Sequence, residues 1–181
     1  MDDPTTKPHG RGTADAAPPN EEAPQEAPTP ASFTRLGLES ASLETVADLG
    51  FDMPTRVQEL AIPLLLQGRD VIAQAPTGTG KTAAYGLPMV ERLQERDLRT
   101  QALVVVPTRE LAMQVADALN RIGRRRQMVT LPVYGGQPYE RQFRALAHGV
   151  QVVVGTPGRL LDHIDRETLK LDTVRFVVLD E

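Results

Sequence analysis

Ala75-Pro76-Thr77-Gly78-Thr79-Gly80-Lys81-Thr82 stands directly after the apolar run Val71-Ile72-Ala73 and directly before a stretch of helical periodicity. A strand, a glycine-rich loop and a helix in that order form the setting in which backbone amides cradle a polyphosphate. Gly78 and Gly80 let the chain curl so that successive N–H groups point the same way. The helix N-terminus adds its dipole and its unpaired amides. Lys81 can reach the outer phosphates, and the Thr82 hydroxyl can ligate Mg2+. The strict pattern has Gly where Ala75 stands, so this loop is a variant. A plain Gly-Thr turn is the competing reading, but Gly-Lys-Thr in register with both flanks favours nucleotide binding. A small-molecule kinase or a GTPase would show the same loop, which leaves the class open at this point.

Outward from the loop the chain reads as alternating elements. On the N-terminal side, residues 42–49 have helical spacing and stop at Gly50, and residues 55–66 repeat the pattern and close at Gly68. On the C-terminal side a helix is expected near 80–95, then an apolar run at 102–106 and a helix near 108–122. A run near 128–133, a helix near 138–147, the run Val152-Val153-Val154, a short helix at 157–164 and the run Phe176-Val177-Val178-Leu179 follow. Counting Val71-Ile72-Ala73, five β-type runs separated by helices imply an α/β fold, a parallel sheet with helices on both faces.

Composition limits the alternatives. The chain has 181 residues, enough for about one domain, and 40% hydrophobic residues to build its core. It has no cysteine, which excludes disulfides and thiolate metal sites. No apolar run approaches the roughly 20 residues of a membrane span, and the acidic, Pro-rich opening Met1-Asp2-Asp3-Pro4 is unlike a signal peptide. The expected setting is cytoplasmic. The net charge of −4 is carried by residues 1–30, where six acids face Lys7 and Arg11, so the remainder balances at 18 basic and 18 acidic groups. Seven of the 15 prolines fall in that same segment. It has too little apolar surface to offset its ordering entropy and is expected to be a disordered tail over 1–31. Charge alone therefore neither invites nor excludes nucleic acid.

Several short motifs stand at ordered positions around the loop. Gly50-Phe51-Asp52-Met53-Pro54-Thr55-Arg56-Val57-Gln58, followed by Ala61-Ile62-Pro63, lies ahead of it, with Phe33 seventeen residues before Gly50. Behind it come Pro107-Thr108-Arg109-Glu110-Leu111, Gly135-Gly136, Thr156-Pro157-Gly158-Arg159 and Val178-Leu179-Asp180-Glu181. In this order and register they resemble the DEAD-box ATP-dependent RNA helicases of superfamily 2. Ala75 at the head of the loop is that family's own form. The resemblance covers nearly everything from Phe33 onward and implies a RecA-like fold, with a Q-motif region at 32–63 and the ATP-binding domain at 64–181. It also implies ATP and Mg2+ as cofactors and RNA as partner, bound without sequence preference by a monomer that unwinds duplexes.

Chemistry supports each residue the resemblance picks out. The Gln58 amide can pair with adenine N7 and N6, as glutamine does in base readout, with Thr55 beside it and Phe33 offering a stacking face. Ala75, Pro76, Thr77, Gly78, Thr79, Gly80, Lys81 and Thr82 would hold the phosphates. Asp180 and Glu181 emerge from a strand at the sheet's C-terminal edge, where ligands of open α/β sheets bind. The resemblance gives Asp180, with Thr82, to Mg2+ and gives Glu181 to the attacking water, with Lys81 completing the catalytic set. Thr108 and Thr156 are placed to cap helices, with Pro157 at the first helical position. With Pro107, Arg109, Gly158 and Arg159 they make phosphate-binding ledges, and Gly135-Gly136 permits close approach of a nucleic-acid backbone. The arginines at 121 and 124–126 are read as a solvated helix end, with RNA binding the minority alternative, and His9, His148 and His163 as structural or solvated. The resemblance further implies that the Ser-Ala-Thr motif and a second RecA-like domain lie outside these residues. Residues 1–181 alone are then expected to be inactive, with a gap between the phosphate-loop strand and the Asp180 strand.

Overall fold

The computed structural model describes residues 32–181, so the 1–31 tail and His9 lie outside the described residues. A 3₁₀ turn at Phe33–Arg35 leads into α1 (Ser40–Asp48) and α2 (Arg56–Leu66), which precede the glycine-rich loop. Then come α3 (Lys81–Arg92), β1 (Ala102–Val105), α4 (Arg109–Ile122), β2 (Thr130–Val133), α5 (Tyr139–His148), β3 (Val152–Gly155), α6 (Pro157–Asp165) and β4 (Phe176–Leu179). The strands form one sheet in the order β2-β3-β1-β4, every neighbouring pair parallel. All four C-terminal strand ends therefore lie on one edge.

The period of two along the strands sorts the core into two faces. Ala102, Val104, Val152 and Val154 pack with α3 and α4, through Leu87, Val115 and Leu119 among others. Leu103, Val153 and Val133 point the other way, onto Leu160 of α6 and Leu146 of α5. The α4 helix shows why its sequence is helical: Ala112, Val115, Ala116, Leu119 and Ile122 share one buried stripe, and the Thr108 hydroxyl accepts the Leu111 N–H at 3.2 Å to cap the start. α3 and α4 approach so closely that a Cβ on Gly86 would stand 2.8 Å from Leu119 Cδ2. Phe33, Leu36 and Ile62 belong to the same core as α3 and α4, and α2 runs unbroken through position 63.

Side-chain amides satisfy the strand starts. Asn120 mimics a strand partner for Thr130, donating to its carbonyl at 3.2 Å and accepting its N–H at 2.9 Å. Gln101, almost wholly buried, pins the 94–97 turn by accepting from Gln94 N and donating to the carbonyls of Gln94 and Asp97.

One expectation, the fifth strand, fails here. Val71-Ile72-Ala73 is extended but joins no ladder, so the sheet has four strands instead of five, and Ile72 is fully exposed. A cleft of about 540 Å³ separates this segment from Val177, Val178 and Leu179 of β4, so neither edge finds a partner. The gap expected beside the Asp180 strand is thus present. Helices cover both faces of the sheet as expected, except along β4. Phe176 and Val178 of β4 pack inward, while Val177 and Leu179 remain 60% and 80% exposed.

Candidate functional site

The glycine-rich loop is held in place from α2. Gly78 and Gly80 have φ of +79° and +83°, a left-handed backbone that a side chain would strain. At Gly80 a Cβ would also meet Gln58 Nε2 at 2.3 Å. Gln58 donates from Nε2 to the Gly80 carbonyl at 3.2 Å and accepts the Thr55 N–H on Oε1 at 2.9 Å. The Thr55 hydroxyl donates to the Thr79 carbonyl at 2.8 Å, and the Thr79 hydroxyl to the Pro76 carbonyl at 2.7 Å. The pair expected to meet a base therefore also fixes the loop. An amide has two N–H groups and two lone-pair directions, so Gln58 keeps one of each beyond these bonds, although it is only 4% exposed.

Lys81 folds back over the loop. Its Nζ donates to the Ala75 carbonyl at 2.9 Å and pairs with Glu181 Oε1 at 2.8 Å. Asp180, next to Glu181, is buried and accepts on Oδ2 from the Tyr85 hydroxyl at 2.9 Å. Burial, and then the charge of Asp180, raises the Tyr85 hydroxyl far above its ordinary pKa, which keeps it a donor. Tyr85 thereby holds the carboxylate expected at Mg2+. Sequence reasoning missed Tyr85, whose partner Asp180 lies 95 residues away along the chain.

The remaining motifs converge at the other end of the same edge. Arg109 opens α4 and pairs with Glu110 at 3.1 Å, and its Nη1 stands 3.4 Å from where a Gly136 Cβ would be. Arg159, on the first turn of α6, directs Nη1 and Nη2 at the Gln137 carbonyl, each at 3.4 Å. Pro157 is at the first helical position, as expected. Thr156 takes the N-cap position but makes no side-chain cap bond, unlike Thr108. Pro107-Thr108-Arg109, Gly135-Gly136 and Thr156-Pro157-Gly158-Arg159 thus form one continuous ledge of loops and helix starts.

Other expected residues stand differently. Phe33 is 4% exposed within the core, its ring 6.4 Å from that of Phe51 at 23°. The 3₁₀ turn tucks it inward, so it offers no open stacking face. In the arginine run Arg121 and Arg124 are exposed, as expected, but the last two arginines are paired. Arg125 pairs with Glu44 and Asp48, and Arg126 with Glu39 and Glu95, so the run ties the end of α4 to α1 and to the 93–101 loop. His163 is structural, fully buried between α5 and α6.

Among the described residues no group of three His, Asp or Glu side chains is arranged to hold a metal. Mg2+ needs less, since one or two carboxylates suffice when phosphates and waters complete the shell. Asp180 with Thr82 meets that requirement. No helix among the described residues is long and apolar enough to cross a membrane.

Residues 55–181 match the DEAD/DEAH box helicase family model. The chain belongs to this family. It is 56% identical over 151 residues to the RNA helicase CrhR of Synechocystis, covering 83% of this chain and 30% of that protein. Against the DEAD-box ATP-dependent RNA helicase CshA of Geobacillus kaustophilus it is 52% identical over 150 residues, covering 83% and 32%. The chain thus spans about a third of the length of these curated relatives. Among solved structures it resembles a DEAD box protein from the hyperthermophile Methanococcus jannaschii, with a TM-score of 0.79 and 40% identity over 83% of this chain and 41% of that one. Saccharomyces cerevisiae Dbp5, solved with RNA and ADP BeF3, matches with a TM-score of 0.74 and 35% identity over 83% and 38%. The RecA-like architecture of DEAD-box helicases is therefore the architecture of this sheet.

Proposed function

We propose that this chain is the ATP-binding and RNA-binding part of an ATP-dependent RNA helicase that couples ATP hydrolysis to unwinding. The observation that carries the reading is the common edge. The phosphate loop and Asp180-Glu181 sit at one end of the strand C-termini, and the ledge of Arg109, Gly136 and Arg159 at the other. Nucleotide and nucleic-acid backbone would then share one rigid platform, which coupling requires.

In this reading Ala75 to Thr82 surround the phosphates, and Gln58 with Thr55 meets the adenine. Phe33 supports that corner from the core. Lys81 exchanges the Ala75 carbonyl and Glu181 for phosphate oxygens when a nucleotide arrives, which frees the Glu181 carboxylate to orient a water. Mg2+, held at Thr82 and Asp180, would neutralise developing charge on the phosphates. The Tyr85 hydroxyl fixes the Asp180 carboxylate. Along the ledge, arginines and helix N-termini contact phosphates and sugars and read no base edge, so RNA is held without sequence preference. The proposal extends to a monomer working in the cytoplasm.

Titration of the protein with ATP and Mg2+ by calorimetry, and with labelled single-stranded RNA by anisotropy, tests the reading. Lys81→Ala is expected to abolish measurable ATP affinity and leave RNA affinity in the absence of nucleotide within about twofold. RNA affinity should fall with salt by about 0.7 log units per phosphate contacted for each tenfold rise. Nucleotide binding untouched by Lys81→Ala would overturn the site, and preference among homopolymers would overturn the backbone mode.

A further inference from the structure

Between the ledge and the core lies a chain of buried polar groups that the proposed function does not use. Gln142 of α5 and His163 of α6 are 1% and 0% exposed. Gln142 Nε2 donates at 2.9 Å to the Tyr134 carbonyl, the last one before Gly135-Gly136. A carbonyl can only accept, so this bond fixes which end of the amide faces it. Gln142 Oε1 must then turn toward α6, where His163 Nε2 lies at 3.0 Å and Arg159 Nη1 at 3.4 Å. An amide oxygen can only accept as well. His163 therefore carries its proton on Nε2, and its Nδ1 faces the Thr168 hydroxyl at 2.8 Å. The Tyr139 hydroxyl reaches the same Thr168 oxygen at 2.7 Å, and the Tyr139 ring stacks on the imidazole at 4.4 Å and 13°. The single Thr168 hydroxyl proton faces two acceptors, His163 Nδ1 and the His163 carbonyl at 2.9 Å, and the ring stays neutral when that proton goes to Nδ1.

One side-chain amide thus touches two separate parts of the ledge. Through its nitrogen it holds the turn that carries Gly135-Gly136, and through its oxygen it braces Arg159. We propose that Gln142, oriented by His163, is a positioning residue that fixes the distance between the Gly135-Gly136 turn and the Arg159 guanidinium, so that both meet one stretch of RNA backbone. This rests on the reading of the ledge as the RNA surface. Neither residue touches RNA itself. Arg159 is long and rotamer-rich, and a freed side chain of that kind must be ordered again each time the ligand binds, at a cost of roughly 2- to 10-fold in affinity.

His163→Phe keeps the stack on Tyr139 and removes the donor to Gln142. It is expected to weaken RNA binding about 3- to 10-fold while leaving ATP affinity unchanged. His163→Gln, whose amide can donate from the Nε2 position, is expected to restore most of the loss. Thr168→Val, at a half-buried site and milder for folding, should shift RNA affinity in the same direction by a smaller factor. Combined with Arg159→Ala, His163→Phe should add much less than it costs alone, because the side chain it positions is gone. Additive losses, equal loss of ATP affinity, or no rescue by glutamine would reduce the pair to ordinary core residues. RNA affinity unchanged by His163→Phe and Thr168→Val, while Arg159→Ala weakens it, would overturn the positioning role and leave the RNA surface standing. If Arg159→Ala itself had no effect, the RNA reading of the ledge would fall first, and this inference with it.

Discussion

The two ends of the sheet's C-terminal edge are built differently. At the ledge end, β1 and β3 are flanked by ladders on both sides, and the turn that follows β2 is held by the buried amide of Gln142. At the nucleotide end, residues 71–73 pair with no strand, and β4 pairs only with β1. What fixes the phosphate loop is a handful of bonds from Thr55, Gln58 and Lys81. A ladder is cooperative, whereas side-chain tethers can be released one at a time. The contrast gives the proposed RNA surface the firmer footing and the proposed nucleotide loop the more adjustable one.

Hydrogen exchange would expose the largest effect. Local opening ranges from about zero for loosely held segments up to the global stability for core strands. Amides of Val104 and Val153 are expected to exchange at least about 10³-fold more slowly than those of Ile72 and Ala73, equivalent to roughly 4 kcal/mol. Similar protection in the two segments would mean that 71–73 has found a ladder partner in solution.

Truncations of apolar side chains give the next effect. Leu119 is wholly buried where α4 meets α3, and Leu119→Ala is expected to cost about 2–5 kcal/mol in denaturant unfolding. Val177→Ala, on the open face of β4, is expected to stay within about 0.5 kcal/mol. A large loss at Val177 would show that something covers that face in solution.

How far these differences could be read from the sequence follows from the kind of force involved. The helices and the four paired strands follow hydrophobic period, caps and glycine stops, which are local. Residues 130–133, 152–155 and 176–179 fall within a residue or two of their apolar runs. Val71-Ile72-Ala73 has the same apolar look, but a strand exists only where another edge pairs with it, and no window of residues reports that. The phosphate loop and the ledge motifs were legible because short spacings fix their chemistry. Tyr85, Gln142 and His163 were not, since their partners lie 95, 8 and 21 residues away and are brought close only by the fold. The burial of Phe33 was not legible, because an aromatic side chain near a site motif looks the same whether it faces a ligand or the core.

Gln58 sharpens the comparison within the nucleotide end. Because it also holds the Gly80 carbonyl, Gln58→Ala should disturb the loop for any nucleotide by about 1 kcal/mol, the usual net value of one hydrogen bond. For ATP the loss of base pairing should bring the total to roughly 1–3 kcal/mol more. Calorimetric titration with ATP and GTP separates the two contributions. Equal losses would leave Gln58 as a loop tether alone.

The smallest effect concerns acid, and it belongs to the ledge end. Burial first, and then the charge of Arg159, lowers the pKa of His163 below its ordinary 6.5, with Asp162 opposing and Arg166 adding to the shift. Gln142 and Tyr139 of α5 and Thr168 beyond α6 place no carboxylate against the ring. The neutral imidazole is thus the form the fold prefers. In the unfolded chain the ring takes up a proton near pH 6.5, while in the folded protein it resists until lower pH. The unfolded state then binds more protons between the two values, so stability rises with pH across that window. The contribution is complete above about pH 6.5 and declines as pH falls from there toward the depressed folded value, below which no further loss comes from this group. Carboxylates titrate lower and would blur a single curve, so the measurement is the difference in unfolding free energy between the native protein and His163→Phe from pH 8 to pH 5. That difference should be level above about pH 7 and shrink below it, because only the native protein has this proton to resist. A difference that grows with acid would mean that the folded protein prefers the imidazolium, and the Nε2 donor assigned above would then have to share the ring with a second proton facing Thr168.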